Sequence, residues 1–326
     1  MPLQESLSNC PICYSTVKPQ FLYDYRQDPG FSLYQCSTCG VQYWSPMNNP
    51  KSDWYNDKYS LEYNLRDYFT PRINRQMHRK FVAWMSTMPK SRTLDIGCGT
   101  GEVVGMLRKQ GHESFGVDFG KQAIYLARKH FGNYYFCASL DEFVKRPNLI
   151  GLDVISIFEV IEHLENPQLL VSNAKLLLRI GGRIVLSTPS RDRWGVNLND
   201  WDFPPHHLTR WNLTTLDNLF MHFGFVRESA NYLDSFKFIL SGVLGEFRRR
   251  IRSQNITATA LAVAVKGNSS NGKVIAKIVF FTAQALKYIV FGLPAIGIWL
   301  VTLPFCRGGI ILVTYRLTSS RETEII

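Results

Sequence analysis

A glycine-rich run holds the residues of this chain that are best suited to binding a reactive small molecule. An apolar stretch and an acid precede three alternating glycines in Leu94-Asp95-Ile96-Gly97-Cys98-Gly99-Thr100-Gly101-Glu102, and a helical pattern follows. Glycines let the backbone approach a ligand closely, and the first turn of a helix offers unpaired N–H groups. The run predicts a loop that holds a charged, nucleotide-like cofactor, although its GxGxG spacing differs from the GxGxxG dinucleotide fingerprint.

Two carboxylates and an imidazole form a second candidate site. Glu159, Glu162 and His163 stand at i, i+3 and i+4, which would place them on one face of a helical turn. Carboxylates together with imidazole can bind a divalent ion, so one interpretation is a Mg²⁺ site at Glu159, Glu162 and His163. A second interpretation is that Glu162 only hydrogen-bonds backbone near the cofactor.

A histidine pair lies in a later loop, residues 201–211, which we interpret as a lid over the acceptor site. His206 and His207 follow two prolines there. Imidazole titrates at about pH 6.5 and suits a general base. The catalytic candidates are therefore His163, His206, His207 and Glu162. Three roles stay open for the histidines: base or orienting group, metal ligand, and structural residue that caps the lid.

Four N-terminal cysteines form a candidate metal site. Cys10 with Cys13 and Cys36 with Cys39 make two CxxC pairs, separated by 22 residues. Four thiolates give a closed tetrahedral zinc site without an open position for catalysis. We therefore predict a zinc ribbon over residues 1–50 with structural Zn²⁺, the alternative being redox-active or unliganded thiols.

Composition limits the class of protein. The chain has 326 residues, of which 45% are hydrophobic and 13% aromatic, and this excludes a largely disordered protein. Its net charge of +11 favours nucleic acid, anionic lipid or phosphorylated partners, unless the chain is simply a basic enzyme. The N-terminal residues contain no secretory signal pattern, so we expect a cytoplasmic location.

Short apolar runs alternate with amphipathic, helix-length runs from residue 91 onward, which is typical of βα units around a parallel sheet. Residues 51–90 carry many aromatics and then a helical pattern, so we expect a helical connector that packs on the main domain and covers the cofactor. The predicted strands are Thr93–Ile96, Ser114–Val117, Tyr134–Phe136, Asp153–Ile157, Arg183–Ser187, Phe225–Ser229 and Ile310–Tyr315. The predicted helices are Glu102–Gln110, Lys121–His130, Leu169–Leu178 and Thr215–His222.

An apolar segment interrupts this pattern before the last strand. Residues 274–306 contain only two charges, Lys277 and Lys287, and a basic cluster, residues 247–252, stands upstream. Apolar surface with basic charge favours monotopic attachment to an anionic membrane. We therefore predict a membrane-associating insertion over 246–307. The alternatives are a wall of the acceptor site, a dimer interface and a true membrane span.

The motifs LDIGCGTG and EVIEHL resemble those of class I S-adenosylmethionine-dependent methyltransferases, and EVIEHL is similar to the ubiquinone-pathway O-methyltransferases. The resemblance covers most of residues 90–232. It implies an α/β, Rossmann-like seven-stranded sheet with helices on both faces and its last strand antiparallel, over 91–245 and 308–317, with S-adenosyl-L-methionine as cofactor. The implied cofactor-binding residues are Asp95 near the amino group, Gly97, Gly99, Gly101, Asp118 at the ribose, Ser139 and Leu140 at the adenine, and Glu159.

The expected function is methyl transfer to a small-molecule or lipid-linked acceptor. The apolar segment and the basic charge favour a membrane-associated acceptor, and the resemblance implies its O-methylation; such an acceptor would be a lipid-linked sugar, a surface polysaccharide precursor or a prenylated ring. One alternative is an RNA methyltransferase, although a long apolar segment has no use in RNA binding and nucleic acid is not the expected partner. Another alternative is a non-catalytic membrane scaffold with the same fold.

Overall fold

In the computed structural model of the protein, every helix and strand named below belongs to one unit of the chain. The described residues are 10–15, 20–25, 30–68, 73, 75–146, 149–193, 202–233 and 308–318. The strands are β1 Gln20–Tyr25, β2 Phe31–Gln35, β3 Gln42–Ser45, β4 Arg92–Ile96, β5 Glu113–Asp118, β6 Tyr135–Cys137, β7 Leu152–Phe158, β8 Leu178–Pro189, β9 Thr209–Arg210, β10 Phe225–Leu233 and β11 Ile310–Leu317. The α-helices are α1 Lys51–Tyr68, α2 Gln76–Met85, α3 Glu102–Lys109, α4 Lys121–Phe131, α5 Leu140–Phe143, α6 Pro167–Leu177 and α7 Leu213–His222.

A seven-stranded sheet in the order β10-β11-β8-β7-β4-β5-β6 forms the centre of the unit. β4 pairs in parallel with β5 and with β7, whereas β11 pairs antiparallel with both β8 and β10. The central strand β7 has the sequence LDVISIF, and most of its residues are buried, as expected for a parallel strand covered on both faces. The predicted fold, including the antiparallel last strand, is confirmed.

The helices that follow the strands begin at identifiable caps. α3 begins after Gly101, and its Val103, Val104 and Leu107 are buried in the core. α7 begins at Leu213, two residues before the predicted start, because the Asn212 side chain accepts a hydrogen bond from the Thr215 N–H. Each predicted helix is present with small shifts at its ends.

A smaller four-stranded sheet has the order β1-β2-β3-β9. Its first three strands come from the predicted zinc ribbon. The fourth, β9, comes from the predicted lid far along the chain, and it pairs antiparallel with β3 through Tyr43↔Thr209 and Gln42↔Arg210. The ribbon and the lid therefore share one sheet.

The whole predicted C-terminal insertion, 246–307, lies outside the described residues, including the basic cluster 247–252 and the apolar segment 274–306. The first residue of the predicted lid, Trp201, also lies outside them. Among the described helices, none combines the length and the apolar character needed to cross a membrane.

Candidate active site

The glycine-rich loop follows β4 at the carboxyl edge of the large sheet. Gly97, Gly99 and Gly101 all have left-handed φ angles, of 72°, 52° and 85°. A Cβ atom on Gly97 would lie 2.4 Å from Val160 Cγ2, and one on Gly101 would lie 2.5 Å from the Tyr135 ring. A Cβ on Gly99 would meet no heavy atom of the described residues within 4 Å. Two glycines are thus required by close packing, while Gly99 leaves open space of the kind a ligand needs.

Asp118 ends β5 and connects it to this loop. Its Oδ2 accepts a hydrogen bond from the Gly99 N–H at 3.0 Å, and its Oδ1 accepts one from the Gly120 N–H at 2.7 Å. Burial raises the pKa of the carboxyl group. Each carboxylate oxygen has a second acceptor position. Asp118 therefore fits the role of binding two hydroxyl groups of a ribose beside Gly99.

Asp95 lies within β4, directly before the loop, and is 4% exposed. The Ser156 hydroxyl on β7 donates a hydrogen bond of 2.6 Å to its Oδ1. Burial nevertheless raises the pKa of Asp95 to about 7, and the nearby Asp118 charge adds to this effect. A buried carboxyl group of this kind favours a cationic ligand, because a positive charge would compensate its lost hydration.

Ser139 and Leu140 come after β6, at the position implied for adenine binding. The Ser139 hydroxyl accepts a hydrogen bond from the Glu142 N–H, and the Glu142 carboxylate accepts one from the Ser139 N–H. This reciprocal pair is a capping box at the start of α5. Ser139 thus has a structural role in the helix, and its backbone stays at the sheet edge.

The turn after β7 differs from the predicted helical face. Glu159 has a left-handed φ of 56°, and the 3-10 turn Ile161–His163 begins only after it. Glu159 therefore precedes the turn, and its carboxylate lies 3.7 Å from the Arg75 guanidinium. Glu162 is buried, and its Oε2 accepts a hydrogen bond of 2.9 Å from the Thr188 hydroxyl. Burial and the nearby Glu159 raise the pKa of Glu162.

Three histidines from two separate segments meet beside this turn. One ligand nitrogen each from His163, His206 and His207 lies within 4.8 Å of the others. The ring centroids are 4.6 to 4.9 Å apart. The His163 Nδ1 contacts the His206 carbonyl oxygen, and the Leu208 N–H donates to the Glu162 carbonyl at 2.7 Å. Residues 202–208, here called the histidine loop, are therefore fixed on the turn after β7.

Helix α1 covers both groups of residues. The Tyr55 ring lies 6.0 Å from the His163 ring and 5.7 Å from Phe119, the residue after Asp118. At the other end of the helix, the Arg66 guanidinium donates to the Thr100 hydroxyl at 2.6 Å and pairs with Glu102. That residues 51–90 cover the cofactor stays a prediction. Tyr55 and Arg66 could not be singled out from the sequence, because the pattern of this helix does not show which of its side chains face the site.

The four cysteines of the predicted ribbon are brought together. Their sulfurs all lie within 4.8 Å of one another, with 3.8 Å between Cys10 and Cys39 and 3.6 Å between Cys13 and Cys36. Four sulfurs at about 2.3 Å from one zinc ion are about 3.8 Å apart in a tetrahedron. The hydrogen bond between Cys10 and Cys39 lowers the pKa of Cys10 to about 5 and raises the pKa of Cys39, so one proton is held between the two sulfurs, and a metal ion at four thiolates would displace it. The cluster fits a structural zinc ion.

Strand order and site together define the class of protein. A seven-stranded sheet in which the antiparallel strand β11 lies between β8 and β10, with a glycine loop after β4, is the architecture of class I S-adenosylmethionine-dependent methyltransferases. Residues 66–230 match the family described as "Methyltransferase domain", and the chain belongs to this family.

Known proteins similar to this chain agree with that class. Phosphoethanolamine N-methyltransferase 2 of Haemonchus contortus, in complex with S-adenosyl-L-methionine, has a similar fold, with a TM-score of 0.51 and 18% identity over 82% of this chain and 60% of that one. Ubiquinone biosynthesis O-methyltransferase of Coxiella burnetii is 29% identical over 118 residues, which are 35% of this chain and 50% of the relative. The same enzyme of Aliivibrio fischeri is 29% identical over 105 residues, 31% of this chain and 45% of the relative. The chain thus spans about half the length of these curated relatives or slightly less.

Proposed function

We propose that this methyltransferase transfers the methyl group to a hydroxyl of a small-molecule acceptor held at His163, His206 and His207. The observation that carries the proposal is the convergence of the three imidazoles within 4.8 Å beside the turn after β7. Val160 in that turn is the residue that packs against Gly97 of the glycine loop. Acceptor and cofactor would therefore meet at one edge of the sheet.

The cofactor S-adenosyl-L-methionine, when bound, supplies the electrophilic methyl group. In this proposal Asp118 binds its ribose, the loop of Gly97, Gly99 and Gly101 surrounds its methionine part, and Asp95 faces its amino group. The protein then has two tasks. It must orient the acceptor for in-line attack, and it must remove the hydroxyl proton.

His163 is suited to receive that proton. A backbone carbonyl can only accept hydrogen bonds, so the Nδ1 of His163 that contacts the His206 carbonyl carries the ring proton in the neutral imidazole. The Nε2 atom is then the basic nitrogen. Nε2 would take the proton of the acceptor hydroxyl, and the resulting imidazolium would lie 3.9 Å from the Glu162 carboxyl group.

In a second version of this proposal, a divalent ion bound at the same histidines orients the acceptor. Three imidazoles with the nearby Glu162 are a donor set that suits zinc, iron or nickel more than Mg²⁺, which prefers carboxylate and water oxygens. His163, His206 and His207 would then hold the ion, and it would lower the pKa of the acceptor hydroxyl. Loss of activity after chelation, with zinc retained at the cysteines, would favour this version.

A membrane-associated acceptor is the finer part of the proposal. Its support is the sequence of residues 247–252 and 274–306, together with the similarity to ubiquinone biosynthesis O-methyltransferases. We propose that the protein works at an anionic membrane surface. Flotation of the full chain with anionic liposomes is expected to decrease after deletion of 274–306, and unchanged flotation would refute membrane binding.

The acceptor can be identified in cells. Lipid and glycan extracts from cells that express the wild-type chain or Asp95→Ala should differ by one methyl group, as seen by mass spectrometry. His163→Asn should lose the same methyl group while it still binds S-adenosylhomocysteine, because the histidine lies outside the cofactor loop. If His163→Asn retains full methylation, the proposed acceptor site is wrong. Loss of a methyl group from RNA instead would favour the RNA alternative.

A further inference from the structure

We propose that the cysteine subdomain, residues 10–15, 20–25 and 30–45, is a positioning element for His206 and His207. The cysteine cluster itself does no chemistry on the acceptor in this proposal. Its third strand, β3, holds the histidine loop in place. Only the effect of this positioning on methyl transfer rests on the function proposed above. The positions of His206 and His207 themselves can be measured separately.

Trp44 on β3 connects both ends of the histidine loop. Its backbone N–H donates to the Leu208 carbonyl at 2.9 Å, and its indole Nε1–H donates to the Asp202 carbonyl at 2.9 Å. The residue is fully buried, and its ring packs against Phe203 at 5.7 Å. Since His206 and His207 lie between the two bonded carbonyls, Trp44 limits how far this stretch can move.

Gln42 adds a second attachment, at the strand that follows the loop. Its Oε1 accepts a hydrogen bond of 2.6 Å from the Arg210 guanidinium, which also lies 3.7 Å from the Asp202 carboxylate. The Arg210 and Asp202 side chains are only 5% and 3% exposed. Buried charges are costly unless paired and hydrogen-bonded, so the removal of Gln42 weakens the support of this ion pair.

The metal cluster is linked to these contacts through the β2–β3 hairpin. Cys36 and Cys39 stand in its turn, where the Cys36 N–H donates to the Val41 carbonyl and the Gly40 N–H donates to the Cys36 carbonyl. A zinc ion bound by these thiolates would fix the hairpin that carries Gln42 and Trp44. Metal occupancy at the cysteines should therefore influence the histidines, although the two clusters share no residue.

Histidine NMR tests this positioning directly. The chain has seven histidines, so full-length protein with labelled histidine side chains gives few signals, and His206→Asn and His207→Asn assign the two of interest. At one fixed pH, Trp44→Phe is expected to shift the His206 and His207 signals, while those of His112 and His130 stay in place. Removal of the cysteine-bound metal by a chelator is expected to cause a similar selective shift.

Matched variants distinguish positioning from general destabilisation. Gln42→Ala removes the contact with Arg210, whereas Gln35→Ala on β2 removes only the partner of the Gln42 amide, at 3.0 Å. Leu33→Ala removes packing in the small core that includes Trp44 but no hydrogen bond to the loop. Equal shifts in Gln42→Ala and Gln35→Ala, or unshifted His206 and His207 signals in both Trp44→Phe and Gln42→Ala, would overturn the proposal. A selective shift supports positioning even if methylation later proves not to use these histidines.

Discussion

Substitution of Asp95 by Asn should make the cofactor-free protein more stable at pH 8. Burial raises the pKa of this carboxyl group from 3.8 to about 7, which corresponds to about 4 kcal/mol at 1.36 kcal/mol per pKa unit. Asn carries no charge and keeps one oxygen for the Ser156 hydroxyl, but its new amide hydrogens need acceptors. We therefore expect about half of that value, roughly 2 kcal/mol, and an increase in Tm of about 4 to 8 °C.

The pH dependence gives this prediction its sign. Between pH 3.8 and about 7, the folded protein holds a proton on Asp95 that the unfolded chain has lost, so this residue's contribution to stability falls as the pH rises through that window. At pH 5 the carboxyl group is largely neutral in the folded protein, and the advantage of Asp95→Asn should shrink. Urea unfolding at pH 5 and pH 8 measures both differences. An identical difference at the two pH values would refute the reasoning.

Asp153 on the neighbouring strand β7 provides the control. Burial alone would raise its pKa, but hydrogen bonds from Arg179 at 2.6 Å and from the Arg92 N–H at 2.8 Å outweigh this and lower the pKa. Asp153→Asn should therefore lower the free energy of unfolding at pH 8, and this loss of stability should be smaller at low pH. Only Asp95→Asn should also abolish the stabilisation by S-adenosylhomocysteine.

Four further variants test the glycine loop, the metal cluster and the helix over the site. Gly97→Ala should lower the free energy of unfolding, measured in urea, by about 3 kcal/mol, because its φ is 72° and the new Cβ would lie 2.4 Å from Val160. Gly99→Ala should lower it by only about 1 kcal/mol, and equal losses in the two variants would contradict this reasoning. Cys39→Ser should reduce bound zinc from one equivalent per chain to a small fraction by elemental analysis and should lower the Tm; full zinc retention would exclude the four-cysteine site. Arg66→Gln should weaken S-adenosylhomocysteine binding in calorimetry by about 1 kcal/mol, roughly fivefold in Kd, because it releases α1 from the glycine loop; an unchanged Kd would show that this contact does not support the cofactor.

The large sheet could be predicted because its signals are local. The central strand β7, LDVISIF, is a short apolar run, and the glycines of LDIGCGTG stand where left-handed φ angles and, at Gly97 and Gly101, close packing require them. The contact of His163 with His206 and His207 could be predicted only in part, because the EVIEHL motif indicates shared chemistry but not the distance between these side chains. The assignment of residues 1–50, 51–90 and 246–307 as separate parts stays a prediction, as do the roles of the site residues.

Two features had no readable signal in the sequence. β9 is two residues long, so nothing in its own pattern predicts pairing with β3 across more than 160 residues of chain. Glu159 departs from the expected helical face because the chain turns through a left-handed residue directly after β7. In both cases non-local packing decides the conformation, and local propensity is a poor guide to such positions.

The place of β11 between β8 and β10 has a consequence for synthesis of the protein. β10 emerges from the ribosome long before its partner, because residues 310–317 follow it by more than 70 positions. Until then the edge of β8 that pairs with β11 is open, and β10 lacks β11, its partner in the described sheet. Exposed strand edges promote association between chains, and pairing across a long sequence separation is slow. The growing chain therefore passes through a period in which the other six strands of the large sheet exist without β11, which joins β8 to β10.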